Sequence, residues 1–245
     1  MKKLTTFIMV LAFAIANTFA QKTYVLLTGV SNYGNADLNL GNTTKDVKAL
    51  QKVFDNQGAK TVLVTSKFAT RAKILEKLDA ILTVAKEEDM IIFAYSGHGT
   101  EGAMATYGAD VSPSNMLSYR EFVNHLKASK TKKVFCFIDA CKAGSVVETS
   151  DLYEWSNDGN AGLTFFLACA ADEYSYENDW VGHGYFSKAL IKGLRGMADT
   201  NGDKKVTVFE LFKYIHADVK RRSSQTPKLV GPRSQHDTVI TDWDK

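Results

Sequence analysis

An α/β fold, with a mostly parallel six-stranded sheet covered by helices on both faces, is what this sequence predicts, and three observations predict it. Apolar runs such as MIIFAYS (90–96) and KVFCFID (133–139) lack polar alternation and read as strands buried on both faces. Stretches with helical spacing separate such runs, so strand, crossover helix and parallel strand recur along the chain. No internal repeat, low-complexity tract or Pro- or Ser-rich linker interrupts the alternation, so residues 21–245 read as one layered domain.

The first twenty residues stand apart. MKKLTTFIMVLAFAIANTFA carries two lysines, an apolar stretch from Phe7 to Ala16 and a small-residue exit, the layout of a secretory signal peptide cleaved before Gln21. The apolar run is short for a membrane span and no stop-transfer pattern follows it. The expectation is export, periplasmic or secreted, with no stable membrane insertion after cleavage. About 225 residues then remain, enough for one well-buried α/β domain.

TYVLLTGV (23–30) reads as a central strand and SNYGNADLNLGN as a polar loop. A helix from Thr43 to Gln57 sets Val47, Leu50, Val53 and Phe54 on one face, Gly58 closes it, and TVLVTS (61–66) is the next strand. Thr70 is the N-cap of a helix carrying Ile74, Leu75, Leu78, Ile81 and Leu82. After the 90–96 strand come a hairpin in GAMATYGAD (102–110), a helix over 117–129 and the 133–139 strand. A polar loop of about twenty residues precedes a fifth strand, LTFFLACA (163–170). The chain closes with a helix at 185–196 ending in glycine, the turn ADTNGDKK, the helix VTVFELFKYIHADVKRR and a short last strand, TPKLVG.

Charge and cysteine count narrow the function classes. The formal net charge of +3 falls to +1 once Lys2 and Lys3 are removed, so no basic excess points to nucleic acid or anionic lipid. Three cysteines are too few, and odd in number, for a disulfide framework. Cys136 lies inside an apolar strand and Cys169 near a strand end, both as core residues, which leaves Cys141 as the thiol with a reason to stay free.

That thiol has a partner in the pattern. The strands at 90–96 and 133–139 both break into small residues where a reactive side chain appears, His98 in SGHG and Cys141 in DACKAG. Neighbouring parallel strands lie about 4.8 Å apart, and ligands in open α/β sheets collect at the carboxyl ends of strands. If these strands are neighbours, an imidazole and a thiol meet at that edge, the minimum equipment for nucleophilic catalysis. Gly97 and Gly99 leave the backbone beside His98 open to a substrate carbonyl.

FAYSGHG followed, 43 positions after its His, by IDACKAG resembles the caspase–hemoglobinase clan of cysteine peptidases, and within it the bacterial caspase-like and metacaspase group. Asp139 stands where the caspase pattern has Gln, as in metacaspases and clostripain-like enzymes. Asp46-Val47, Ala69-Thr70-Arg71-Ala72, Gly182-His183-Gly184-Tyr185-Phe186 and Gln225-Thr226-Pro227 agree with the bacterial group in order. The resemblance implies a three-layer caspase-like fold, a cysteine endopeptidase with a His98/Cys141 dyad, and an oxyanion hole made by the amides of Gly99 and Cys141. It also implies a substrate-binding pocket lined by Asp46 and Asp139, with Asp172 as a third acid.

Acids in a partly desolvated pocket select Lys or Arg, so the expected partners are protein or peptide substrates with a basic P1 residue. The loop Asn35–Gly41 carries no arginine of the kind caspases use to hold aspartate. Asp46 also suits a first-turn helix acid, and Asp172 an exposed loop acid. No Lys or Arg lies between Lys142 and Lys188, so an enzyme of basic specificity does not cut its own 145–162 loop, and a single-chain, monomeric active form is expected.

Two further features need weighing. Asp199, Asn201, Asp203 and Glu210 take positions 1, 3, 5 and 12 of an EF-hand calcium loop, but position 6 is Lys204 instead of Gly, and a helix–helix turn capped by Asp203 or Thr207 explains the run as well. Asp110 and Glu148 fall near where metacaspases hold calcium, without the paired aspartates of that site. Calcium is thus a candidate ligand, while the chemistry itself requires no cofactor. His183 invites a rival dyad but precedes a helix, and reads as a loop residue. The competing functions are a caspase-fold binding or scaffold module with an idle dyad, and a calcium-responsive structural module.

Overall fold

The computed structural model describes residues 21–109, 113–148, 162–173, 177–178 and 183–244. The expected signal segment 1–20, Asp110, the Glu148 side chain and most of the 145–162 loop lie outside the described residues.

In chain order the described elements begin with β1 (Thr23–Gly29), α1 (Thr43–Asn56), β2 (Lys60–Thr65), α2 (Arg71–Val84) and β3 (Met90–Ser96). Three short strands follow, β4 (Gly99–Thr100), β5 (Ala103–Ala105) and β6 (Met116–Ser118), then α3 (Tyr119–Leu126) and β7 (Val134–Asp139). The rest are β8 (Leu163–Leu167), β9 (Glu177–Asn178), β10 (His183–Gly184), α4 (Tyr185–Lys192), β11 (Lys205–Thr207), α5 (Val208–Arg222), β12 (Lys228–Val230) and β13 (Val239–Asp242). Six strands make the main sheet in the order β12-β8-β7-β3-β1-β2, with β12 antiparallel to β8 and the other pairs parallel.

The two-residue period of a strand sorts its side chains into two cores. Leu26, Ile91, Phe93, Cys136 and Phe165 pack on one face, against Ile74, Leu78 and Phe122 of α2 and α3. Val25, Leu27, Ile92, Phe137 and Phe166 pack on the other, against Val47, Leu50, Leu190 and Leu211 of α1, α4 and α5. Every residue of β3 and β7 is buried, which is why those strands read as unbroken apolar runs. Truncating such a ring, as in Phe93→Ala, is expected to cost about 3–5 kcal/mol.

Local signals set the helix starts. The Thr70 side chain accepts from the Lys73 N–H and opens α2 as expected. Ser118 does the same for α3 through the Glu121 N–H, and Met116–Ser118 pairs with Ala103–Ala105, so the helix starts at Tyr119 instead of 117. The hairpin expected within 102–110 is replaced: only β5 lies there, and it pairs with β4 before it and β6 after it in a three-stranded sheet. A turn-like stretch before the last helix likewise becomes β11, paired with β13.

Candidate active site

The sheet register delivers the two reactive groups to one rim. β3 and β7 are parallel neighbours, and Ser96 pairs with Asp139 at their carboxyl ends. The Gly97 N–H donates to the Asp139 carbonyl at 3.1 Å, carrying the ladder past the last rung. His98 and Cys141 each sit two residues beyond that matched pair. Contact between the segments is close, because a Cβ on Gly99 would run into the Cys141 carbonyl and lie 2.8 Å from the Ala140 methyl. Glycine is what lets the chain leaving His98 lie against the chain carrying the thiol.

His98 is held from two sides. Its backbone N–H donates to the Tyr33 hydroxyl at 2.6 Å, and the Tyr33 ring lies 4.9 Å from the imidazole at a 41° tilt. Nε2 is 2.9 Å from the Leu38 carbonyl, which can only accept, so the neutral ring carries its proton on Nε2 and its lone pair on Nδ1. Leu38 ends a 3-10 turn, Ala36–Leu38, whose N-cap is Asn35. The loop that lacks arginine therefore serves by orienting the imidazole, through a backbone atom.

Cys141 is half-buried, whereas Cys136 and Cys169 are buried, and none of the three forms a disulfide. Burial pushes the Cys169 thiol up to about 12, and its S–H lies 3.3 Å from the carbonyls of Ala140 and Glu173. Both buried cysteines are core residues, as the apolar runs suggested. After Cys141 the chain turns sharply, with Lys142 in the left-handed region at φ 54°. The Lys142 N–H donates to the Glu173 carbonyl at 2.8 Å, while its own carbonyl accepts from the Ser145 N–H and hydroxyl. On the His98 side, the Ala105 N–H donates to the His98 carbonyl. Hydrogen-bonded rungs alternate in an antiparallel ladder, so the Gly99 N–H turns away from β5.

At the same strand ends lie the two acids expected to line a pocket. Asp46, in the first turn of α1, has no solvent exposure. One carboxylate oxygen accepts from the Ser96 hydroxyl at 3.1 Å, and the other lies 2.6 Å from His183 Nδ1. Burial pushes the Asp46 carboxyl up to about 6, helped by the nearby Asp139 charge and opposed by the His183 hydrogen bond. An exposed acid serving only the helix dipole would show none of this. Asp139, 7 % exposed, accepts from the Ser187 N–H at 3.1 Å and its hydroxyl at 2.7 Å. It thereby caps α4, which starts after Gly184 with no side-chain cap of its own, and that is a structural role the sequence did not show. A Cβ on Gly184 would sit 2.7 Å from the same carboxylate.

The remaining acids stand apart from this pocket in character. Asp172 is exposed on the turn after β8. Asp199 accepts from the N–H groups of Gly202 and Lys204, and Asp203 from that of Lys205. Glu210 forms a capping box with Thr207 and also accepts from the Thr200 N–H and hydroxyl. A calcium loop closes on a bidentate glutamate at its twelfth position, and here that carboxylate is committed to helix capping, so the donor set does not fit the ion. Among the described residues no three His, Cys, Asp or Glu side chains gather as a metal site.

His183 is the residue that sequence reasoning misplaced. It sits in a two-residue strand pair and reaches the buried acid from 137 positions away. Ser96, Tyr33 and the Leu38 carbonyl were also missed. The first two carried a signal in retrospect, a polar residue closing an apolar strand and an aromatic in a polar loop.

Comparison with known proteins places the geometry in context. The family model described as the caspase domain matches residues 22–237. Metacaspase-1 of Plasmodium falciparum is 24% identical over 239 residues, covering 82% of this chain and 38% of its own length, so the chain spans well under half of that relative. A crystal structure of a Geobacter sulfurreducens protein superposes with a TM-score of 0.64 over 90% of this chain and 98% of that one, at 16% identity, a likeness of fold.

Proposed function

The chain belongs to the caspase-domain family of cysteine peptidases, and from that premise we propose that it is a cysteine endopeptidase cleaving after Arg or Lys through a His98/Cys141 dyad. The observation that carries the reading is the matched register of β3 and β7, with the His98 lone pair left on Nδ1 by the Leu38 carbonyl. Nδ1 takes the thiol proton, and the Cys141 thiolate adds to the scissile carbonyl. The N–H groups of Gly99 and Cys141 hold the resulting oxyanion. The His98 imidazolium then protonates the leaving amine, and water hydrolyses the thioester by the reverse proton path. Asp46 and Asp139 favour a cationic P1 side chain, because a neutral one leaves their charge unanswered.

The test is turnover of fluorogenic Arg-, Lys- and Asp-P1 peptides by the purified protein and by Cys141→Ala. Activity on the basic peptides alone, abolished in the variant, is the expected result. Faster cleavage of the Asp-P1 peptide would overturn the specificity, and an inert wild type would favour the scaffold reading. The active protein is also expected to run as one chain on a denaturing gel after prolonged incubation, since no basic residue lies in 143–187.

A further inference from the structure

A carboxylate shut away from water stays charged only where donors hold it. Asp46 has two such donors, the Ser96 hydroxyl at 3.1 Å and His183 at 2.6 Å. The histidine bond is the shorter. It also sits where it can matter most, because the His183 side chain is 30% exposed and that of Asp46 not at all, so the ring stands at the margin between the acid and solvent. β10 holds the ring in place by pairing with β9, where Asn178 is opposite His183 and Glu177 opposite Gly184. The other charged or titratable residues on the surrounding elements are Asp139 at the end of β7, Tyr95 on β3, Lys45, Lys48, Lys52 and Asp55 on α1, Tyr185, Lys188 and Lys192 on α4, and Glu177 on β9.

We propose that His183 is a positioning residue that keeps Asp46 ionised, and so sets the acid limit below which the pocket stops accepting a basic side chain. The proposal rests on reading the pocket as the P1 site. Its sign follows from the geometry. A donor to the carboxylate stabilises the charged form, so removing it moves the titration of Asp46 upward in pH. With His183 present, burial leaves that carboxyl at about 6, and affinity for a cation is full above this value and lost as pH falls through it. Without His183 the loss begins nearer neutrality. The carbonyl chemistry at Cys141 does not involve this bond, so the effect falls on KM and leaves kcat at saturation in place.

The experiment measures KM and kcat for an Arg-P1 peptide across about pH 5 to 9 for the wild type, His183→Phe and His183→Gln. The phenylalanine variant keeps a ring without a donor, and the glutamine variant keeps an N–H without an imidazole. The expected result is an acid limb of KM shifted upward by about one pH unit in the first, a tenfold weaker KM at a fixed pH below the limb, and substantial return toward wild type in the second. An unmoved limb in folded His183→Phe, or a fall in kcat with KM unchanged, would overturn the proposal. A parallel titration uses agmatine as the guanidinium probe on Cys141→Ala, with and without His183→Phe, and needs no turnover. The same pH shift in agmatine affinity supports the role of His183 even if the peptides are not cleaved, which would fault the dyad alone. Failure of agmatine to bind at any pH overturns both the basic pocket and the role given to His183.

Discussion

Two acid-rich regions of this chain look alike in sequence and differ in structure. The Asp46–Asp139 pocket and the 199–210 loop each present several carboxylates at spacings that suggest a bound cation. In the loop the acids are already answered, Asp199 and Asp203 by backbone N–H groups and Glu210 by a helix cap. In the pocket, Asp46 is buried, sits beside a second acid, and is raised to about 6 by its surroundings. The difference teaches that an acid motif is readable as a binding site only once the partners of each carboxylate are known. Exposed acids held by backbone N–H groups build a turn, whereas Asp46 is held by the Ser96 and His183 side chains in a site where burial makes its charge costly.

The sharpest way to break this contrast is Asp46→Asn against Asp199→Asn. The pocket variant should lose about a hundredfold in kcat/KM on an Arg-P1 peptide, because a cation is then buried against a weaker counter-charge. The loop variant should stay within about twofold on the same peptide, since Asp199 is bonded to the backbone of its own turn. Equal losses would erase the distinction.

Stability should respond in the opposite direction. A carboxyl raised from its ordinary 3.8 to about 6 destabilises the folded protein when ionised. That penalty is full above about pH 6, shrinks as the pH falls, and is gone below the unfolded value near 4. Asp46→Asn should therefore be more stable than wild type by about 1–3 kcal/mol at pH 7.5, with the gain fading by pH 4, as read by denaturant midpoints. A variant less stable at both pH values would show that the Ser96 and His183 bonds outweigh the burial.

The smaller effects lie in the loop. Thr207→Ala removes the cap that Glu210 completes and should cost about 1 kcal/mol without changing P1 preference. Millimolar calcium should shift the melting temperature by less than about 1 °C, because an ion stabilises only what it binds. A rise of several degrees, lost in Glu210→Gln, would return the loop to the list of cation sites.

Much of the scaffold was legible because it is written in local periods. β1, β3, β7 and β8 follow from apolar runs, α2 from its spacing and its Thr70 cap, and Cys136 from its place inside a strand. The legible part of the site was the pair of strand ends. His98 and Cys141 follow small-residue breaks, and Asp46 and Asp139 lie close to recognisable motifs. Less was legible where one short element depends on another. β6 and β11 exist because β5 and β13 lie beside them, and nothing in three residues announces a distant partner.

By itself the sequence determined the long strands and helices, which side chains are candidates for the chemistry, and that no basic excess calls for nucleic acid. Those properties reside in side-chain identity and spacing, which the chain carries wherever it goes. Only the tertiary structure decided that Ser96 pairs with Asp139, that the Leu38 carbonyl orients the imidazole, that Asp139 caps α4, and that His183 meets Asp46. Each of those is a hydrogen bond between groups far apart in the chain, and one is made by a backbone carbonyl that every residue possesses, so their partners are chosen by packing and register.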